Sequence, residues 1–95
     1  MADLVGHPNI GPKLAARLEQ AGIPSYSELI RLGSVEAMYR IAEGQPLTGY
    51  NMLYALEGAC QGVRWHTLTQ DVRARVKADY DRRAAGSRTA PSNTR

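Results

Sequence analysis

Apolar residues recur at helical spacing in five separate stretches of the chain, and a glycine or a proline punctuates each of them. The firmest stretch begins at Pro12, whose missing N–H suits a first helical residue, and it ends before Gly22. Its apolar residues share one helical face: Leu14, Ala15, Leu18 and Ala21. This pattern predicts an amphipathic helix.

Two short helices are predicted next, one on each side of Gly33. Ser25 followed three residues later by Glu28 is a capping-box pattern, and Gly33 suits the end of that helix. Ser34 can then cap a second helix that runs to Gly44. Short helices joined by short connections are therefore expected here.

A wide apolar stripe marks the predicted central helix, which opens at Thr48 or Gly49 and closes at Gly62. The stripe consists of Met52, Leu53, Leu56, Ala59 and Cys60. A last helix, from Thr69 to about Ala84, follows a connection that holds the only Trp. No stretch alternates as a β-strand would, so the chain predicts an all-α, compact bundle of about five short helices.

Length and composition limit the domain organisation and the class of protein. The 95 residues fit one domain, which we expect over residues 1–84, and the Ser-, Thr- and Pro-containing residues 85–95 predict a disordered basic tail. No apolar run approaches the roughly 20 residues that cross a bilayer, and the amino terminus lacks a signal-peptide pattern. A cytoplasmic protein without membrane association is expected, and the lone Cys60 agrees with a reducing compartment.

The segment from Pro8 to Leu18 carries the strongest local motif. Its sequence PNIGPKLAARL resembles the helix-hairpin-helix signature, in which an apolar residue between small ones makes a tight turn into a helix. The Ile10 side chain is expected to pack into the hydrophobic core, while Gly11 lets the backbone turn sharply. The free N–H groups at the helix start, with Lys13 and Arg17 on one helical face, are a candidate site for the phosphate backbone of DNA.

A second motif, NMLYALEGA over residues 51–59 followed by Gly62 and Trp65, extends the likeness. With both motifs in this order, the chain resembles the carboxyl-terminal domain of the TfoX/Sxy family, bacterial regulators of DNA uptake competence, over about residues 4–76. The resemblance implies a helix-hairpin-helix or SAM-like fold. It also implies a regulatory module that acts with DNA or with a protein of the transcription machinery.

We call the segment from Pro8 to Leu18 the hairpin. The distribution of charge favours the alternative that the hairpin is only a turn that packs two helices together. Residues 1–70 carry five basic and six acidic side chains, whereas residues 71–95 carry seven basic and three acidic ones. Phosphate binding depends mainly on clustered Lys and Arg. The basic residues of the last helix could supply that charge, but Asp71, Asp79 and Asp81 are interleaved with them, and no aromatic stacking pattern is evident. A protein–protein interaction module without nucleic-acid affinity therefore stays open.

Tyr50, Tyr54 and Trp65 form a candidate partner-binding patch, since aromatic residues are enriched at binding hot spots, although such residues in a small domain without phenylalanine more often complete the core. Neither histidine has a cysteine or a carboxylate at ligand spacing, so no metal is expected. Cys60 lies on an apolar stripe, and no carboxylate pair stands beside a histidine. The sequence thus predicts no enzyme, no cofactor and no small-molecule substrate.

Overall fold

The computed structural model describes residues 4–89, which form four α-helices and one short 3-10 turn. The helices are α1 (Pro12–Gln20), α2 (Tyr26–Ala42), α3 (Asn51–Gln61) and α4 (Gln70–Thr89), and the 3-10 turn is Trp65–Thr67. No strand occurs between residues 4 and 89. The predicted all-α class is confirmed.

Local sequence signals set most helix ends. Pro12 is the first residue of α1, as predicted, and α2 begins after Ser25, whose Oγ accepts a hydrogen bond from the Glu28 N–H at 3.2 Å. Helix α3 ends at Gly62, which takes the left-handed conformation (φ 77°) that favours glycine. The cap and stop residues predicted at these positions are confirmed.

Helix α2 replaces two of the predicted helices. Gly33 has φ 87° and ψ 166°, values outside the helical region, so α2 is kinked at the residue where a break is expected. Because helical structure resumes directly at Ser34, no loop separates the two halves, and the predicted count of five helices is one too many. Ser34 is itself buried, and its hydroxyl donates to Glu57 Oε1 at 2.7 Å.

Helix α4 is longer than expected, since it continues past Ala84 to Thr89. Ala84 and Ala85 are strong helix formers, and no proline interrupts the chain before Pro91. Of the predicted disordered tail over residues 85–95, the stretch 85–89 continues α4. The remainder lies outside the described residues.

The core lies between α2, α3 and α4, with α1 packed against α2. Its largest fully buried side chains are Leu4, Leu18, Ile23, Leu29, Leu53, Leu56, Val76 and Tyr80. The predicted central role of α3 is visible in Leu53 and Leu56, which have no solvent exposure. Among the described residues, no helix combines the length and the apolar character that crossing a membrane requires.

Candidate functional site

Asn9 fixes the hairpin against the end of α3. Its Nδ2 donates to the carbonyl oxygens of Val63 at 2.9 Å and Ala55 at 3.2 Å, and its Oδ1 accepts from the Trp65 N–H at 3.1 Å. Asn9 also takes the positive φ of this turn (70°), while Gly11 has φ −94°. The expectation that Gly11 makes the sharp turn is therefore wrong, because Asn9 is the residue in the left-handed conformation, which asparagine tolerates better than most residues.

Gly58 leaves the space that the Asn9 side chain occupies. A Cβ at this position would lie 2.6 Å from Asn9 Nδ2 and 2.7 Å from the Val63 carbonyl oxygen. Beneath the turn, Ile10 is 4% exposed and joins the core as predicted. The hairpin is thus anchored by one buried aliphatic side chain and one amide.

The amino end of α1 is open to solvent. Gly11 is the N-cap, is exposed, and offers no side-chain acceptor, and the first turn of α1 holds no acidic residue. The N–H groups of a first helical turn lack intrahelical acceptors and lie at the positive end of the helix dipole. Such an end accepts an anion.

Lys13 and Arg17 lie exposed on one face of α1, and none of the described residues forms an ion pair with either. With Arg40 and Glu43 they line an open cleft of about 600 Å³ between α1 and the end of α2. Arg17 lies in the last turn of α1, where a cation complements the negative end of the dipole. The structure therefore brings Gly11 and Lys13 together at the amino end and places Arg17 toward the opposite end.

Tyr50, Tyr54 and Trp65 are half-buried and stand together with two cations of α4; we call these three aromatic residues the ring row. The Arg73 guanidinium carbon lies 5.7 Å from the Tyr54 ring centre and 5.5 Å from that of Trp65. Lys77 Nζ lies 4.9 Å from the Tyr50 ring centre. Sequence inspection missed this pairing, because the cations and the rings belong to different helices.

Hydrogen bonds hold the ring row and its cations in place. Arg73 donates through one terminal nitrogen to the carbonyl oxygens of His66 at 3.2 Å and Trp65 at 3.4 Å. The Tyr50 hydroxyl donates to Asp81 Oδ1 at 2.8 Å, and this bond is the main cause that raises the pKa of Tyr50. The two ends of the row are thereby tied to α4.

Four other basic residues of α4 lie beside acidic side chains. Arg75 bonds Glu57 at 3.4 Å, Arg83 bonds Glu36 at 3.2 Å, and Arg82 pairs with Asp79. Lys77 Nζ also lies 3.7 Å from Asp81 Oδ2. These pairs reduce the free positive charge that α4 offers to a polyanion.

Cys60 and His7, residue types that often take part in catalysis, are engaged in contacts within the fold. The Cys60 thiol is partly buried and donates to the Leu29 carbonyl oxygen at 3.9 Å, and burial raises its pKa to about 11. His7 stacks on Tyr26 with ring centres 3.5 Å apart. Among residues 4–89, no cluster of three or more His, Cys, Asp or Glu side chains could hold a metal ion. With this raised pKa, the Cys60 thiol is a poor nucleophile.

Comparison with known proteins finds a family model and solved structures that match this chain. The family model described as the TfoX C-terminal domain matches residues 2–80. A triclinic crystal structure of an uncharacterized Listeria monocytogenes protein is 43% identical, with a TM-score of 0.74 over 81% of this chain and 88% of its own. A tetragonal crystal structure of a Listeria monocytogenes protein of unknown function is 40% identical, with a TM-score of 0.72 over 83% of this chain and 96% of its own. A search of curated proteins returns no match.

Proposed function

Since this chain belongs to the TfoX C-terminal domain family, we propose that it is a non-enzymatic binding module that contacts the phosphate backbone of DNA through its hairpin. The resemblance to competence regulators supports a regulatory role in the cytoplasm, exerted on DNA or alongside the transcription machinery. In this proposal the module contributes affinity for the backbone and reads no bases.

The observation that carries the proposal is the uncapped amino end of α1. Gly11 leaves its N–H groups unobstructed, and Lys13 adds one exposed positive charge within the first turn. Asn9 fixes the turn by three hydrogen bonds, so these donors are ordered before a phosphate arrives. Donors that are already ordered bind with a smaller entropic cost.

A second candidate function is protein–protein interaction without affinity for nucleic acid. The observation that favours it is the pairing of basic side chains with acids outside the hairpin: Arg31 with Glu28, Arg40 with Glu36, Arg75 with Glu57, Arg82 with Asp79 and Arg83 with Glu36. Paired surface cations release fewer counterions from DNA than free ones.

Fluorescence anisotropy with labelled duplex DNA over a salt series tests the proposal. We expect Lys13→Gln to weaken binding at low salt and to reduce the slope of log K against log salt by about 1, the change expected for one lost phosphate contact. Arg31→Gln is the matched control, because it removes the same charge from an exposed position on α2. Binding unaffected by Lys13→Gln, or absent at low salt, contradicts the hairpin as a DNA contact.

A further inference from the structure

The ring row combines features that a duplex-binding surface does not need. Three aromatic side chains, Tyr50, Tyr54 and Trp65, each keep part of their surface in solvent. Arg73 lies within cation–π distance of both Tyr54 and Trp65, and Lys77 lies within that distance of Tyr50. A backbone phosphate contact uses cations and N–H groups but no rings.

The ring row adjoins the hairpin. Asn9 Oδ1 accepts the Trp65 N–H at 3.1 Å, and Gly11 follows Asn9 by two residues. The turn that leads into α1 therefore lies beside the backbone of Trp65.

We propose that the ring row is a stacking platform for unpaired bases of single-stranded DNA whose backbone is held at the amino end of α1. This inference rests on the proposed function, because the hairpin supplies the phosphate contact. Aromatic rings and guanidinium planes both stack on bases without regard to sequence. Arg73 acts as a positioning residue, since it bonds the carbonyls of Trp65 and His66 and its guanidinium lies within cation–π distance of Trp65 and Tyr54.

Charge and polarity favour a nucleic acid over a protein partner for this surface. Arg64 and His66 flank Trp65 and are exposed, and Arg73 forms no ion pair with the described residues. Protein interfaces have an apolar centre, whereas single-strand binding surfaces interleave rings with cations.

Trp65 fluorescence is a direct measure of stacking, because the chain has a single tryptophan. The probes are a short oligothymidylate and an abasic oligonucleotide of the same length and backbone charge. We expect the oligothymidylate to quench Trp65 emission at saturation and the abasic strand to leave the emission nearly unchanged. Anisotropy of the same labelled strands establishes that each is bound.

Two variants of Trp65 separate the π-face from apolar bulk. Trp65→Phe retains an aromatic ring, and Trp65→Leu retains only apolar volume. We expect Trp65→Leu to bind the oligothymidylate at least about fivefold more weakly than Trp65→Phe, with duplex affinity equal in the two variants. Thermal melting followed by circular dichroism verifies that both variants are folded. Tyr54→Phe and Tyr54→Leu provide a second pair on α3, in case Trp65→Leu unfolds the 3-10 turn.

The possible results distinguish this inference from the proposed function. Equal oligothymidylate affinity of the Phe and Leu variants, or equal quenching by both strands, overturns the platform and points to a protein partner for the rings. If Lys13→Gln still weakens duplex binding in that case, the proposed function stands alone. If neither duplex nor single strand binds at low salt, both ideas fail.

Discussion

The side-chain oxygen of Asn9 accepts the backbone N–H of Trp65 at 3.1 Å, although the two residues are 56 positions apart in the sequence. This bond ties the hairpin before α1 to the 3-10 turn after α3. The same side chain donates to the Val63 carbonyl oxygen, so Asn9 bonds two positions of the segment that follows α3. The Asn of the hairpin motif therefore has a structural role that precedes any binding role.

Replacing Asn9 by alanine should lower the free energy of unfolding by about 3 kcal/mol. The partly buried Trp65 N–H loses its acceptor, which costs about 1–3 kcal/mol, and alanine at φ 70° costs about 1–2 kcal/mol more. Urea denaturation followed by Trp65 fluorescence measures the change.

The matched control for Asn9→Ala is Asn9→Gly. Glycine accepts the positive φ but restores none of the hydrogen bonds, so its cost should be smaller than that of alanine by about 1 kcal/mol. A loss below about 1 kcal/mol for Asn9→Ala would mean that the amide does not hold the turn.

Gly58→Ala should destabilise the protein by about 1–3 kcal/mol, although alanine favours helices. The new Cβ would lie 2.6 Å from Asn9 Nδ2 and 2.7 Å from the Val63 carbonyl oxygen, and the carbonyl is backbone that cannot rotate away. The control is Gly86→Ala in α4, where a Cβ meets nothing within 4 Å. Thermal melting should show a lower midpoint for Gly58→Ala and an equal or higher one for Gly86→Ala; a higher midpoint for both contradicts the close contact.

Much of the helical architecture could be predicted because its signals are local. Each of these signals acts within one helical turn. The helix ends in the structure lie where they were predicted, at Pro12, Ser25 and Gly62. The count of helices could not be settled in this way. Gly33 marks a break in the helical pattern, but the pattern is the same whether the next helix begins directly or after a loop. The packing of the fold decides between these two structures.

The long-range contacts of the site were less accessible to sequence reasoning. Gly11, Lys13 and the aromatic residues could be named because their types suggest binding. The hydrogen bonds of Asn9 and the position of Arg73 over two rings join residues that are distant in sequence. Spacing along one helix carries no information about a partner on another, so these relationships required the fold.

Cys60 should react slowly with thiol reagents in the native protein. Its pKa is raised to about 11 by burial, so only about a thousandth of the thiol is ionised at pH 8. The rate of reaction with a disulfide reagent should rise about tenfold per pH unit up to pH 10.

The native state favours the neutral thiol, so burial of Cys60 contributes to the free energy of unfolding. This contribution is complete below the ordinary pKa of 9.0 and is lost as pH rises from there toward 11.

Denatured protein provides the reference for this measurement, because its thiol is fully solvated. A native rate at pH 8 within a few-fold of the denatured rate, or a plateau near pH 9, would mean that the thiol is not buried beside Leu29 as the structure has it.

Gly11→Asp should stabilise the fold while it weakens the proposed binding. Gly11 has an extended backbone (φ −94°, ψ −174°) suited to an N-cap, and a Cβ there meets nothing within 4 Å. An aspartate can accept hydrogen bonds from the first-turn N–H groups and complement the helix dipole, which together should add about 0.5–1 kcal/mol to the free energy of unfolding. Its charge would occupy the place of a phosphate, so duplex DNA affinity should fall at least about tenfold.

Gly11→Asn, a neutral cap of the same size, separates the two effects: it should stabilise nearly as much but weaken binding less. A gain in stability together with a loss of affinity would indicate that the amino end of α1 is left uncapped because it binds DNA. A Gly11→Asp variant that binds DNA like the unaltered chain would show that the amino end of α1 is not the anion site.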